Sequence, residues 1–449
     1  MRCSTLLLTG AALALFGQAA AAPLPDSFSE RARELLSGGA EINRPDEVGE
    51  ESRKLNVIYF VGSDAEPLED YQRRISELLL YLRQFYGREM ARNGFGNRSM
   101  ALPMKENGEV DITLIRGSRP AAEYVCSGEV AMDCLKEVES YFSEHPERKF
   151  SRHTFIIMPT RYDEQFNDAN PGGVPFFGMG CNCFVLDYRG FDLRYLGQDT
   201  PEGRLLTKMF GGLAHELGHA MNLPHNNGPV SELRALGTPL MGSGNYTFGS
   251  EPTYMTKASC TIMDTCEIVP RLHRPATLYA KPEGAPALPE PRLVYDGSAL
   301  QLELRLPETC AEVSAANVYV QDSPFAVNQD YDSVAFAAQR KREGLPAGGV
   351  VCCTIPMAEL ANLKEDRRED QRSAALPERL FLSLVGAVQH VGPQGRAGSG
   401  AQRAEADGMR ALSAAVLACA ACSGAGRAQP RGRHGCFRGF ELDARRPGC

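Results

Sequence analysis

Apolar positions along the chain fall into two rhythms, and the places where the rhythm changes outline its organisation. LNVIYFVG, from Leu55, is rich in β-branched and aromatic residues and predicts a strand. Residues 67–93 then carry Ile75, Leu78, Leu79 and Leu82 at helical spacing. A second strand is expected at 110–116, a helix at 128–142 and a strand at 153–160 (HTFIIMPT). After a glycine-rich loop around 171–180 come a strand in CNCFVLDY and a helix over 202–219. Strand, helix, strand, helix, strand, strand, helix predicts an α+β domain over 53–285. Residues 23–52 are polar with little apolar period beyond Leu35, and read as a linker or short pro-segment.

From residue 286 the period changes to two. Leu300, Leu302, Leu304 and Leu306 alternate strictly after an Asp296-Gly297 turn, which sets one strand face against a core. Further runs at 316–321, 349–356 and 379–391 predict a small all-β sandwich, immunoglobulin-like, over 286–395. Such a domain could bind glycans or proteins, or simply cap its neighbour. From 396 the chain turns to Ala, Gly, Arg and Cys, with eight arginines against Glu405, Asp407, Glu441 and Asp443 after residue 396. This tail is expected to be disordered, with only 411–419 able to form a short helix. Its abrupt onset resembles out-of-frame translation, and we assign it no function.

Composition adds the compartment. One basic residue, an apolar core from Leu6 to Phe16 and small residues at 19–22 predict a signal peptide over 1–22. No later apolar run approaches the ~20 residues of a membrane span, so the mature chain is expected to be secreted or periplasmic. Fourteen cysteines suit that setting. Sequence proximity suggests Cys126 with Cys134, Cys260 with Cys266, and Cys310 with Cys352 or Cys353. A net charge of −8 gives no electrostatic reason to expect nucleic acid or anionic membrane as partner.

The chemistry is concentrated in HELGHAMNLPH, His215 to His225. On a helix, positions i and i+4 share a face, so His215 and His219 can turn to one metal ion while Glu216 reaches its water. A catalytic zinc takes about three protein ligands and leaves one position open. His225 is the natural third. A continuous helix would carry it roughly 15 Å away from His215, so the chain must turn back after His219. Asn222 suits a left-handed backbone position and Pro224 cannot continue a helix.

The pattern HExxHxxNxxH resembles the signature of the metzincin clan of zinc endopeptidases, with Asn222 where that clan usually has glycine. The resemblance covers roughly residues 53–275 and is specific only from His215 to Tyr246. It implies that His215, His219 and His225 bind one zinc, that Glu216 is the general base, and that a methionine turn lies beneath the metal. Met241, among glycines, is the preferred methionine over Met255 and Met263. Tyr246 is placed like the tyrosine some metzincins use to steady the tetrahedral intermediate.

These readings make the chain an exported zinc-dependent endopeptidase acting on a protein or peptide substrate, including glycoproteins. The alternative is a surface or glycan-binding protein on an inactive metzincin-like scaffold, and a third reading is hydrolysis of a non-peptide amide or ester. The loop with Asp163, Glu164 and Asp168 could hold calcium, but it lacks the ordered alternation of a calcium loop and is expected to be solvated. Cys181 and Cys183, on one strand face, could form a second metal site, though ordinary packing is the expectation. Asn97 and Asn245 head glycosylation tripeptides that matter only in a eukaryote.

Overall fold

The computed structural model describes residues 24–37, 39, 41–48, 53–272, 292–305, 313–321, 333–345, 349–360, 379–386 and 413–416. The segment read as a linker or pro-segment is docked on the main domain. Helix α1 (Glu30–Ser37) turns Ala32 and Leu36 inward beside Phe28, all within the large core. Both the Ser29 N–H and its hydroxyl donate to the Glu77 carboxylate, at 2.6 and 2.9 Å. A short helix α2 (Pro45–Val48) follows.

The main domain is built on a five-stranded mixed sheet of β1 (Asn56–Val61), β2 (Thr113–Arg116), β3 (Thr154–Pro159), β4 (Phe177–Met179) and β5 (Asn182–Asp187). Their order is β2-β1-β3-β5-β4, parallel except for the antiparallel edge strand β4. β1 is buried along its whole length, as a strand covered on both faces must be. Helix α3 (Tyr71–Arg92) packs Ile75, Leu78, Leu79 and Leu82 into the core, the residues whose spacing predicted it. Helix α4 (Gly128–Glu144) is capped by the Ser127 hydroxyl. β4 falls inside the stretch expected to be a loop; three residues around glycines leave no alternation to read.

Buried charge ties the layers together. Arg74 pairs with Asp187 at the end of β5, whose other oxygen accepts from the Tyr59 hydroxyl at 2.7 Å. Arg73 bridges Glu77 and Asp192. These carboxylates are buried with their partners, the condition under which charge is tolerated inside a protein.

Helix α5 (Pro201–Ala220) packs against β5, β4 and β3 and carries the histidine motif. After it come α6 (Val230–Leu236), the short pair β6 (Thr238–Pro239) and β7 (Thr253–Tyr254), and α7 (Lys257–Met263). No helix among the described residues is long and apolar enough to cross a membrane.

The later strands are β8 (Arg292–Tyr295), β9 (Ala299–Arg305), β10 (Val313–Gln321), β11 (Val334–Leu345), β12 (Val350–Pro356), β13 (Arg379–Gly386) and β14 (Ser413–Val416). They form one sheet of order β11-β10-β13-β14 and another of order β12-β9-β8. Leu300, Leu302 and Leu304 share a core with Val318, Val320, Val334 and Val351, so the expected alternation does face an opposing sheet. β11 was not anticipated. Within the tail, Ser413–Val416 is a strand beside β13 rather than part of a short helix; sheet pairing outweighs the local preference of an Ala-rich run. The signal peptide, the boundary near 285 and the rest of the tail lie outside the described residues.

The cysteines differ from expectation. Cys134 and Cys260 are free thiols, so neither joins its neighbour in sequence. Cys134 lies fully buried inside α4, whereas Cys126 precedes that helix's N-cap. The Cys260 sulfur lies 3.6 Å from the Glu89 carbonyl while the Cys266 sulfur lies 3.8 Å from His153 Nε2, so the two are held by different neighbours. Cys310 lies outside the described residues.

Candidate metal centre

The three histidines converge. His219 Nε2 lies 3.1 Å from His215 Nε2 and 2.9 Å from His225 Nε2, and the last two are 3.0 Å apart. Nitrogens about 2.0–2.1 Å from one tetrahedral ion stand roughly 3.3 Å apart, so this triangle is close to a zinc face. Each first-motif imidazole is also oriented from behind. His215 Nδ1 meets the Leu240 carbonyl and His219 Nδ1 the Leu223 carbonyl, both at 2.8 Å. A carbonyl can only accept, so Nδ1 carries the proton and Nε2 offers its lone pair inward. Burial lowers His215 to a pKa of about 4 and holds His219 well below the usual imidazole range, which keeps both neutral and ready to ligate.

The turn that brings His225 back follows from the sequence after His219. α5 ends at Ala220, and Asn222 adopts φ 67°, the left-handed position its amide side chain favours. The Leu223 N–H donates to the Gly218 carbonyl and the Asn222 N–H to the His219 carbonyl, at 3.1 and 2.8 Å. This pair of bonds is the Schellman closure. It spends the helix's last carbonyls while reversing the chain.

Met241 lies beneath the motif. It is buried, and a Cβ on Gly218 would stand 2.5 Å from its sulfur, so the glycine between the two helical histidines lets the methionine approach. The residue before it supplies the carbonyl that orients His215. Met255 and Met263 are also buried core residues. Tyr246 closes a 3-10 turn (Ser243–Tyr246) that packs on α5. It is 53% exposed.

Glu216 is held by a residue the sequence reading did not single out. The Gly178 N–H, on edge strand β4, donates to Glu216 Oε2 at 2.6 Å. Burial pushes Glu216 up to about 7 against the opposing pull of this bond. A Cβ on Gly178 would collide with the Cβ of His219 and stand 3.0 Å from the Glu216 carbonyl. The one signal in sequence was a glycine among strand-like residues, which marks a close backbone approach.

Among the described residues, His215, His219 and His225 are the only cluster of potential metal ligands. Cys181 and Cys183 do not join a second one. Cys181 instead places its sulfur 3.8 Å from the Asn222 amide oxygen. In the acidic loop, Asp163 accepts from the Gln165 and Phe166 N–H groups and pairs with Arg161, while Asp168 is held by Tyr162 and Arg189. Those carboxylates serve the loop itself.

No protein-family profile matches the chain, and no curated protein matches it either. Solved structures do. The wild-type crystal structure of OgpA from Akkermansia muciniphila matches with 44% identity and a TM-score of 0.68, over 76% of this chain and 91% of that one. The chain belongs to the OgpA family. A structure of catalytically inactive OgpA in complex with an O-glycopeptide substrate, glycodrosocin, matches with 43% identity and a TM-score of 0.66, over 76% and 90% of the two chains. A second crystal form of wild-type OgpA gives 43% identity and a TM-score of 0.64, over 74% and 89%. The likeness to OgpA thus reaches well beyond the motif. It supports a metallopeptidase and names a particular family.

Proposed function

We propose that this protein is an exported zinc-dependent endopeptidase that cleaves O-glycosylated peptides or proteins. The observation that carries the metal part is the convergence of three Nε2 atoms, within 3.1 Å of one another, beside a buried glutamate. The substrate class rests on family membership, since OgpA has been solved with an O-glycopeptide substrate.

The residues divide the work. His215, His219 and His225 would hold the zinc, leaving a fourth position open. When bound, zinc supplies a water of lowered pKa and polarises the scissile carbonyl. Glu216 takes a proton at its carboxylate and returns it to the leaving amine; a carboxyl raised by burial toward neutrality suits both transfers. β4 is an edge strand whose three residues are all half-buried, so an extended peptide can pair with it beside the metal. Tyr246, more than half exposed, is free to turn toward an oxyanion formed there.

The test is incubation of the purified mature protein with an O-glycopeptide and its unglycosylated counterpart. Chelator-treated and zinc-restored samples run in parallel. Cleavage of the glycopeptide that disappears with chelator and returns with zinc is expected. If the glycopeptide is bound but left intact at full zinc loading, the inactive-scaffold reading replaces this one.

A further inference from the structure

The loop that carries His225 is fastened on three sides, and one of those sides is the β-sandwich. Within the main domain, the Asn226 N–H donates to the Met241 carbonyl at 3.1 Å. The fully buried Asn226 amide donates to the Ser259 hydroxyl and accepts from the Thr256 hydroxyl, at 3.0 and 2.8 Å, tying the loop to the start of α7. The next residue crosses between domains. Asn227 donates its N–H to the Ser333 carbonyl at 2.7 Å, and its carbonyl accepts from the Ala335 N–H at 3.0 Å. This is a parallel β-bridge opposite Val334, at the outer edge of β11. Around it, Ala335 and Tyr319 pack on Ala258 of α7, and the Asn317 amide donates to the Ala258 carbonyl at 2.9 Å.

We propose that the β-sandwich is a working part of the metal centre: β11 clamps the loop bearing His225 and so holds the third ligand in place. A backbone bond pair two residues from a ligand fixes that ligand's entry angle, and the first two histidines are already fixed by helix α5. His225 is therefore the ligand whose placement needs outside support. Ser333, Ala335 and Asn227 are positioning residues on this account. The inference rests on the reading that the three histidines hold zinc.

The full-length chain allows a matched test. Residues two apart on a strand turn their N–H groups to the same edge, so Ala335 and Ala337 both point away from β10. Proline is tolerated on such an edge. Ala335→Pro deletes the donor to Asn227, whereas Ala337→Pro makes the same chemical change where no bond to the loop exists. Ala335→Leu, which keeps the donor but overfills the contact with Ala258, is the second variant should the proline disturb folding. Zinc-loaded proteins are mixed with excess chelator and zinc loss is followed, alongside hydrogen exchange of residues 225–229. Ala335→Pro and Ala335→Leu should lose zinc at least tenfold faster than wild type and exchange the loop amides faster, while Ala337→Pro follows wild type. Equal zinc loss in all four proteins, or equal acceleration by both prolines, overturns the clamp. A wild-type chain that takes up no zinc would sink the metal reading instead, and the exchange comparison would still decide the clamp.

Discussion

Gly178 donates its backbone N–H to Glu216 at 2.6 Å from a strand too close to His219 for any side chain at that position. One glycine therefore orients the Glu216 carboxylate and sets how near the edge strand lies to helix α5. Gly178→Ala must push β4 outward, lengthening that bond and displacing His219. We expect cleavage to fall about 10²-fold, the usual cost of misplacing catalytic groups by about an ångström, with zinc held less tightly. Steady-state kinetics and metal content measured on one preparation check this. Wild-type values for both would mean that β4 has no part in positioning.

Glu216 and His225 separate chemistry from metal retention. Three imidazoles and a water complete the shell without the carboxylate. Glu216→Ala should therefore keep its fold and its zinc while losing about 10² to 10⁴ in rate. His225→Ala removes a ligand, so its zinc affinity should fall by orders of magnitude. Metal analysis after dialysis distinguishes the two, and undiminished zinc in His225→Ala would place the third ligand elsewhere.

Local rules account for what was legible in advance. The i,i+4 histidines, the left-handed Asn222 and the buried strands β1, β3 and β5 each follow from a few adjacent residues, and the structure has them where the pattern placed them. The Nδ1 acceptors were out of reach because they are main-chain carbonyls of Leu240 and Leu223, and a carbonyl has no sequence signal. Gly178 meets Glu216 across 38 positions and Asn227 meets Ala335 across more than a hundred, so neither contact leaves a local period. The docking of Ser29 on Glu77 was hidden in the same way, by a polar stretch whose partner lies 48 residues on. Cysteine spacing misled for the opposite reason: neighbours in sequence belong to different environments once helices form.

Asn222 offers a test of the turn by itself. At φ 67° an asparagine costs little, glycine nothing, and a β-branched residue about 1–3 kcal/mol. Asn222→Gly should be neutral or slightly stabilising. Asn222→Val should lower the denaturation midpoint and weaken zinc binding together, since the turn delivers His225. Denaturant titrations with and without zinc measure both effects. Valine that leaves both unchanged would rule out strain at this position as the determinant of the turn.

Protonation of the metal-free site gives the last expectation, because its groups pull in opposite directions. His215 is lowered from 6.5 to about 4, so the unfolded chain binds the extra proton first and stability falls as pH drops from 6.5 to 4. His219 acts in the same sense. Glu216 is raised from 4.5 to about 7, so the folded chain binds the extra proton between those values and stability falls as pH rises through them. The His215 and Glu216 shifts are each worth about 3 kcal/mol and oppose one another, so in wild type Glu216 offsets part of the histidines' acid dependence. Glu216→Gln removes one side of the balance while keeping an oxygen to accept from Gly178. With metal chelated, this variant should be more stable than wild type by about 3 kcal/mol above pH 7. The advantage should shrink to nothing by pH 4.5, and the variant's own stability should decline steeply with acid as the histidines are forced to charge. Chemical denaturation of both proteins at pH 8, 6 and 4.5 measures it. A constant difference across that range would show that Glu216 is not held in a site that resists its charge.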